Sequence, residues 1–160
     1  MIQIYYGFGK GKTTAALGQA LRACGAGKTA CVYEFLKDNS SSERFANCSI
    51  DFYENPQHLP FLFKMSDSEK AAYANFAKKM LADALSSSYD VIVLDEFLDV
   101  ISLFEPDFVN SLSFSPEKEY VITGHAEYAP LFEKADYITE FKNVRHPYEK
   151  GIAARRGIEF

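Results

Sequence analysis

The sequence predicts an α/β protein with a mainly parallel central sheet and helices packed against it. Three observations carry this. A short apolar run, Ile2 to Tyr6, leads directly into Gly7-Phe8-Gly9-Lys10-Gly11-Lys12-Thr13-Thr14 and then into a helical pattern, giving strand, glycine-rich turn and helix in succession. Val91-Ile92-Val93-Leu94 and Tyr120-Val121-Ile122 are continuous apolar runs, as expected of strands covered on both faces. Between them lie stretches with helical periodicity, so strands and helices alternate.

The glycine-rich turn carries the strongest chemical signal. Such a turn between a strand and a helix can point backbone N–H groups at a polyphosphate, because glycine reaches conformations that a Cβ blocks. Lys12 would place its ammonium beside the phosphates, and the hydroxyl of Thr13 would ligate magnesium. The helix starting there would present its positive dipole end. The spacing is one residue tight: the general phosphate-loop pattern has a glycine five positions before the Gly-Lys pair, where this chain has Tyr6. A glycine-rich corner without a ligand is the alternative; the lysine and paired threonines in register favour phosphate.

At 160 residues the chain is expected to form one domain, residues 1–160, with its own core. No apolar run approaches the ~20 residues of a membrane span. The N-terminal apolar run is too short for a signal peptide, so a cytoplasmic protein is expected. The three cysteines, Cys24, Cys31 and Cys48, lack metal-ligand spacing and are expected to be reduced and packed inside. A net charge of −5 argues against a general nucleic-acid surface.

Along the chain, Thr13–Cys24 is expected as a helix burying Ala16, Leu17, Ala20, Leu21 and Cys24, and ended by Gly25. Arg22 lies off that face, either as a solvated charge or as a donor to the nucleotide. Residues 28–36 form a second strand candidate, followed by the serine-rich run 37–42, read as a surface connection without chemistry. Residues 49–54 form a short third strand candidate. Pro56 to Phe63, with two prolines and many apolar residues, suits neither helix nor strand; it reads equally as a core lid or as a pocket wall for a large flat ligand. Ser66-Asp67-Ser68-Glu69 has the form of a capping box opening a long helix with Tyr73, Phe76, Ala77, Met80, Leu81, Ala84 and Leu85 on its apolar stripe.

The run from Asp90 to Leu94 ends in Asp95-Glu96. In open α/β sheets the carboxyl ends of strands face the ligand crevice, so these acids are placed to meet magnesium. Short helices are expected at 97–104 and 106–112, a strand at 120–125 ending in Gly124-His125, a helix at 129–134 and a last strand at 136–141. His125 is either a turn histidine bonded to backbone or a substrate contact, and His58 a surface imidazole. The basic stretch from Lys142 to Phe160 is either a grip for an anion or a solvated tail.

Taken in order, these motifs resemble the P-loop corrinoid adenosyltransferases. The resemblance rests on residues 7–18, Arg22, Phe35-Leu36-Lys37, Val93-Leu94-Asp95-Glu96, Thr123-Gly124, Ala135-Asp136, His146-Pro147, Gly151, Ala153 and Gly157-Ile158-Glu159. The tight loop matches that family's own form. The resemblance implies a three-layer RecA-like P-loop NTPase fold, and transfer of the 5′-deoxyadenosyl group of ATP to cobalt(I) of a reduced corrinoid with release of triphosphate.

It further implies ATP binding by Gly7, Phe8, Gly9, Lys10, Gly11, Lys12, Thr13, Thr14 and Arg22. Lys12, Thr13 and Glu96 would serve the reaction, with Thr13, Asp95 and Glu96 around Mg2+ and Phe61, Phe63 and His125 toward the corrinoid. A homodimer and a flavoprotein reductant are implied as partners, with neither nucleic acid nor membrane. Phe8 stands where the family usually has a polar residue and His125 where arginine is usual; no tryptophan walls the corrinoid segment, and the sequence opens directly on its first strand where longer members carry an extension. The competing functions are a P-loop ATPase or nucleotide-gated module, with Glu96 activating water, and a small-molecule kinase, with Asp95 or Glu96 near the acceptor hydroxyl.

Overall fold

A computed structural model describes residues 1–159. Six strands form one all-parallel sheet: β1 (Ile2–Tyr6), β2 (Ala30–Glu34), β3 (Ile50–Phe52), β4 (Val91–Asp95), β5 (Glu119–Gly124) and β6 (Tyr137–Glu140), in the order β3-β2-β4-β5-β1-β6. Five helices accompany them: α1 (Lys12–Gly25), α2 (Asp67–Ser86), α3 (Phe97–Val100), α4 (Pro106–Asn110) and α5 (Ala129–Phe132). Helices cover both faces of the parallel sheet, in agreement with the expected three-layer RecA-like P-loop fold.

The two faces follow from side-chain alternation along the strands. Val91 and Val93 point to one side, where with Val32 and Val121 they pack on Ala16, Ala20 and Ala23 of α1. Ile92 and Leu94 point to the other, where they join Ile4, Tyr33 and Ile122 and the α2 stripe of Tyr73, Ala77, Met80, Leu81 and Ala84. Each fully buried branched residue here contributes on the order of 1.5–3 kcal/mol.

Alanines on the sheet side of α1 keep it close to the strands. Leu21, expected on that face, is instead 55% exposed, because at 100° per residue it falls beside the Ala16-Ala20-Ala23 stripe rather than on it. The capping box that starts α2 is present: the Glu69 amide donates to Ser66 Oγ and the Ser66 amide to Glu69 Oε2. The single short helix expected at 97–104 is divided into α3 and a 3-10 turn at Ile101–Leu103. All three cysteines are free, but only Cys31 is buried; Cys48 is exposed in the polar connection before β3.

Parallel pairing brings the carboxyl ends of β2, β4, β5 and β1 to one edge. Tyr6 is level with Gly124, and Glu34 with Asp95. Every candidate site residue except Arg22 belongs to that edge or to the segments folded over it.

Candidate nucleotide and substrate site

The glycine-rich loop is shaped by the chain leaving β6. The Gly9 amide donates to the Phe141 carbonyl at 2.7 Å, and the Gly7 amide to the His125 carbonyl at 3.2 Å. A Cβ on Gly7 would lie 2.6 Å from the Phe141 oxygen, and one on Gly9 2.7 Å from it, so neither position has room for a side chain. These two amides are therefore engaged within the protein, and the N–H groups left for a ligand are those further along. Gly11, at φ 110°, begins α1 with no side-chain cap. The first-turn amides of α1 are the groups a helix leaves without internal partners, and together with the dipole they suit an anion.

Lys12 folds back onto the loop, donating to the Gly9 carbonyl at 3.1 Å. Burial lowers its pKa, opposed by the nearby charges of Asp99, Glu96 and Asp95. An ammonium partly stripped of water and facing three acids is held ready for a stronger anion.

Asp95 is the hub on the opposite side. Fully buried at the end of β4, it accepts from Thr13 Oγ1 at 2.8 Å and Thr123 Oγ1 at 2.7 Å on one oxygen, and from Lys37 Nζ at 2.7 Å on the other. Thr13 thus spends its proton on Asp95 and keeps oxygen lone pairs for a cation. Glu96 follows at φ 56°, a left-handed conformation that costs a non-glycine residue about 1–3 kcal/mol. Its amide donates to Thr123 Oγ1 at 2.9 Å. Burial pushes the Glu96 carboxyl up to about 7; Lys37 opposes this, and Asp95 and Asp99 reinforce it.

His125 extends this edge. Its Nδ1 lies 3.1 Å from Asp99 Oδ2, and its ring packs 5.5 Å from the exposed ring of Phe8. The Asp99 hydrogen bond raises the His125 pKa against the lowering effect of burial. The histidine is thus both backbone-bonded at its carbonyl and open to the site at its ring.

A cavity of about 1060 Å³ runs from Thr13 at the start of α1 past Glu96 and His125 to the 59–63 segment. Thr13, Thr14, Lys37, Glu96, Asp99 and His125 line its polar side, and Leu36, Leu59, Phe61, Leu62 and Phe63 an apolar wall. Phe61 and Phe63 stack with centroids 5.6 Å apart and are 69% and 79% exposed. Within the 56–63 stretch, Leu59 and Leu62 pack against the core while Phe61 and Phe63 are exposed, so the stretch both covers the core edge and presents a wall to the cavity. Gly157, Ile158 and Glu159 close one side, so the end of the basic segment reaches the cavity; Phe160 lies outside the described residues.

The serine-rich run, expected to carry no role, also borders the cavity through Ser40, Ser41 and Ser42. Ser41 is buried and donates to Glu34 at 3.0 Å, which draws the run inward. Arg22, by contrast, is exposed in the last turn of α1, ten residues beyond Lys12 and so roughly 15 Å along the helix axis. The structure does not bring it to the loop.

Lys37 and Asp99 were given no chemical role by their residue patterns. Lys37 is the first charge beyond β2 at the strands' carboxyl edge, and Asp99 lies one helical turn beyond Glu96; both positions are signals that could have found them.

Fold and loop together define an α/β protein of the RecA-like P-loop class. Residues 1–160 match the family described as ATP:corrinoid adenosyltransferase BtuR/CobO/CobP, and the chain belongs to that family. Among similar proteins, the corrinoid adenosyltransferase of Escherichia coli (strain K12) is 32% identical, with all of this chain and 85% of that protein aligned. Corrinoid adenosyltransferase CobA of Salmonella typhimurium is 29% identical over the same shares. The corrinoid adenosyltransferase of Pseudomonas aeruginosa is 30% identical, with all of this chain and 83% of that protein aligned.

Proposed function

We propose that the protein transfers the 5′-deoxyadenosyl group of ATP to cobalt(I) of a reduced corrinoid, releasing triphosphate. The observation that carries this reading is the composite cavity, whose phosphate-binding end and aromatic wall are continuous. The exposed Phe61–Phe63 face gives the cavity an apolar wall suited to a large flat second substrate beside the nucleotide.

In this reading the ATP phosphates occupy the start of α1, held by the free amides from Lys10 to Thr14 and by Lys12. Gly7 and Gly9 shape the loop, and Phe8 contributes its backbone while its ring supports His125. Arg22 is left outside the nucleotide set. Cobalt(I) is the nucleophile: a cobalt–carbon bond forms at ribose C5′ as the bond from C5′ to the triphosphate oxygen breaks, and the electron pair leaves with triphosphate. No proton is removed, so alignment of the two substrates and stabilisation of the leaving group are the protein's tasks.

Magnesium fits the donors present. Thr13 offers an oxygen oriented by Asp95, and Glu96 a carboxylate that receives no hydrogen bond among the described residues. Few protein ligands and a share of phosphate oxygens suit this ion. Bound there, it supplies positive charge to the leaving triphosphate. Asp95, with both oxygens engaged, orients Thr13 rather than ligating the metal directly.

Phe61 and Phe63 form the corrinoid wall, with His125 at its polar margin. Cobalt must arrive as cobalt(I), so an external reductant is required, and a flavoprotein is the proposed class. The exposed β6 edge, presenting Tyr137 and Ile138, supports a homodimer. A cytoplasmic location is proposed from the free cysteines; no helix among the described residues is long and apolar enough to cross a membrane.

The test is the product. Given Mg-ATP and chemically reduced cobalamin without oxygen, the protein should form a light-sensitive organocobalt species and triphosphate in equal amounts. ADP or inorganic phosphate in their place, with no organocobalt spectrum, would transfer the assignment to a kinase or an ATPase.

A further inference from the structure

Lys37 stands among more acids than it is needed to neutralise. Its ammonium lies 2.7 Å from Asp95, 3.6 Å from Glu34 and 3.8 Å from Glu43. Glu34, fully buried, has its own cation in Arg44 at 2.7 Å and a hydroxyl donor in Ser41. Asp95 has Thr13 and Thr123. Were Lys37 to leave, Glu34 would keep its Arg44 ion pair and Ser41 hydroxyl, and Asp95 would keep two hydroxyl donors on Oδ1 while Oδ2 lost its Lys37 partner, a cost that the bonds of the ammonium to the entering triphosphate must offset.

The backbone aims this lysine. Leu36, immediately before it, adopts φ 58°, and Leu36 and Glu96 are the two non-glycine residues with positive φ among the described residues. They follow the ends of adjacent strands β2 and β4, and both line the cavity. The Leu36 amide donates to the Tyr73 hydroxyl at 2.6 Å, which braces the strained turn against α2. Backbone strain held in place by surrounding structure concentrates where a side chain has a functional position to keep. Lys37 lines the same cavity and its side chain is partly exposed, so its head reaches a ligand there.

The electrostatics call for such a cation. Glu43, Glu96 and Asp99 line the cavity and Asp95 lies directly behind Lys37, so a polyanion entering it meets several acids that Lys12 alone does not offset.

We propose that Lys37 is a second phosphate-binding lysine, held by Asp95 until the nucleotide enters and then transferred to the triphosphate chain. This rests on the phosphate-loop reading given above. The ammonium exchanges one oxyanion for another, and Asp95 keeps Thr13 oriented by its remaining hydrogen bonds.

The experiment measures binding of inorganic triphosphate, and separately of adenosine, by calorimetry without added metal. Lys37→Met should weaken triphosphate at least tenfold and leave adenosine unchanged, while Lys37→Arg should restore triphosphate to within a few-fold. Lys12→Ala is the reference. If Lys12→Ala weakens triphosphate and Lys37→Met does not, the Lys37 proposal is overturned and the loop reading stands; if neither does, the loop reading fails. Equal loss of triphosphate and adenosine in Lys37→Met, with a lower melting temperature, would make Lys37 a structural counter-ion and also overturn the proposal. Should Lys37→Met not fold, carbon-13-labelled lysine in the unaltered protein decides, with Lys37→Arg assigning the signal. Triphosphate should shift the ε-carbon resonances of both Lys12 and Lys37, and a shift confined to Lys12 overturns the proposal.

Discussion

Thr13 and Asp95, 82 residues apart in sequence, are joined by a 2.8 Å hydrogen bond from the threonine hydroxyl to the carboxylate. The bond ties the first turn of α1 to the end of β4, and the same oxygen accepts from Thr123 on β5. Asp95 is therefore a junction of three elements as well as a neighbour of the proposed magnesium site. Asp95→Ala should destabilise the protein by about 3–5 kcal/mol, the scale for breaking a buried charged pair. Thr13→Ala loses a single bond to a charged group and should cost no more than about 1.5–3 kcal/mol. Urea unfolding compares the two, and equal losses would show that Asp95 is not the junction described.

Glu96 is the carboxylate proposed to ligate magnesium beside Thr13. Glu96→Gln preserves its size and removes the charge, so it should raise the magnesium concentration for half-maximal activity at least tenfold while leaving the fold intact. Magnesium titration of the initial rate provides the measurement. An unchanged requirement would pass the role to Asp95, despite its three hydrogen bonds.

The His125–Asp99 pair should give the protein a pH-dependent stability. The His125 pKa lies above the ordinary 6.5, through the Asp99 hydrogen bond and the charges of Asp99 and Glu96, with burial and Lys12 opposing. A histidine with a raised native pKa contributes stability that is fully present below 6.5 and is lost as pH rises through the native value. Melting temperature should therefore fall between acid and alkaline sides of that window, and His125→Gln should flatten the fall. Parallel curves for the two proteins would mean that the pair does not stabilise the fold; the exposure of the histidine keeps the expected effect small.

The parts of the fold most legible in sequence are those with dense local signals. Residues 91–94 are uniformly apolar because both faces of β4 are covered, and Ser66 with Glu69 starts α2 by a pairing that needs no tertiary context. The Leu21 expectation failed because one residue along a helix changes the face, while leucine and alanine count alike as apolar. In the site, Lys12, Thr13 and Glu96 were visible because strand ends and the glycine loop announce them. Lys37 was marked only by its place just beyond β2 and by the resemblance; its partners Glu34, Glu43 and Asp95 are assembled by the β2–β4 pairing and a left-handed turn at Leu36, neither of which has a sequence signature. Ser41 was hidden for the same reason, since a serine in a polar run gives no sign that a buried glutamate lies beneath it.

The proposed aromatic wall offers a test that distinguishes the two substrates. Phe61 and Phe63 stack on each other, with the Lys64 ammonium 5.7 and 5.8 Å from their ring centres, and they make little contact with the core that supports the nucleotide end. Replacing both with alanine should cost little stability, because side chains already mostly in water have little burial to lose. Affinity for a corrinoid should drop, since burial of a large apolar ligand face is worth about 25 cal/mol per Å² and two rings are removed from the wall. ATP affinity should stay near that of the unaltered protein, because Lys12, Thr13 and the α1 amides are untouched. Calorimetric titration with ATP, set beside spectroscopic titration with a corrinoid, measures both in one variant. A selective loss of corrinoid places that substrate on the 56–63 segment; equal loss of both would mean that the segment orders the whole site, and normal binding of both would send the corrinoid to another wall of the cavity.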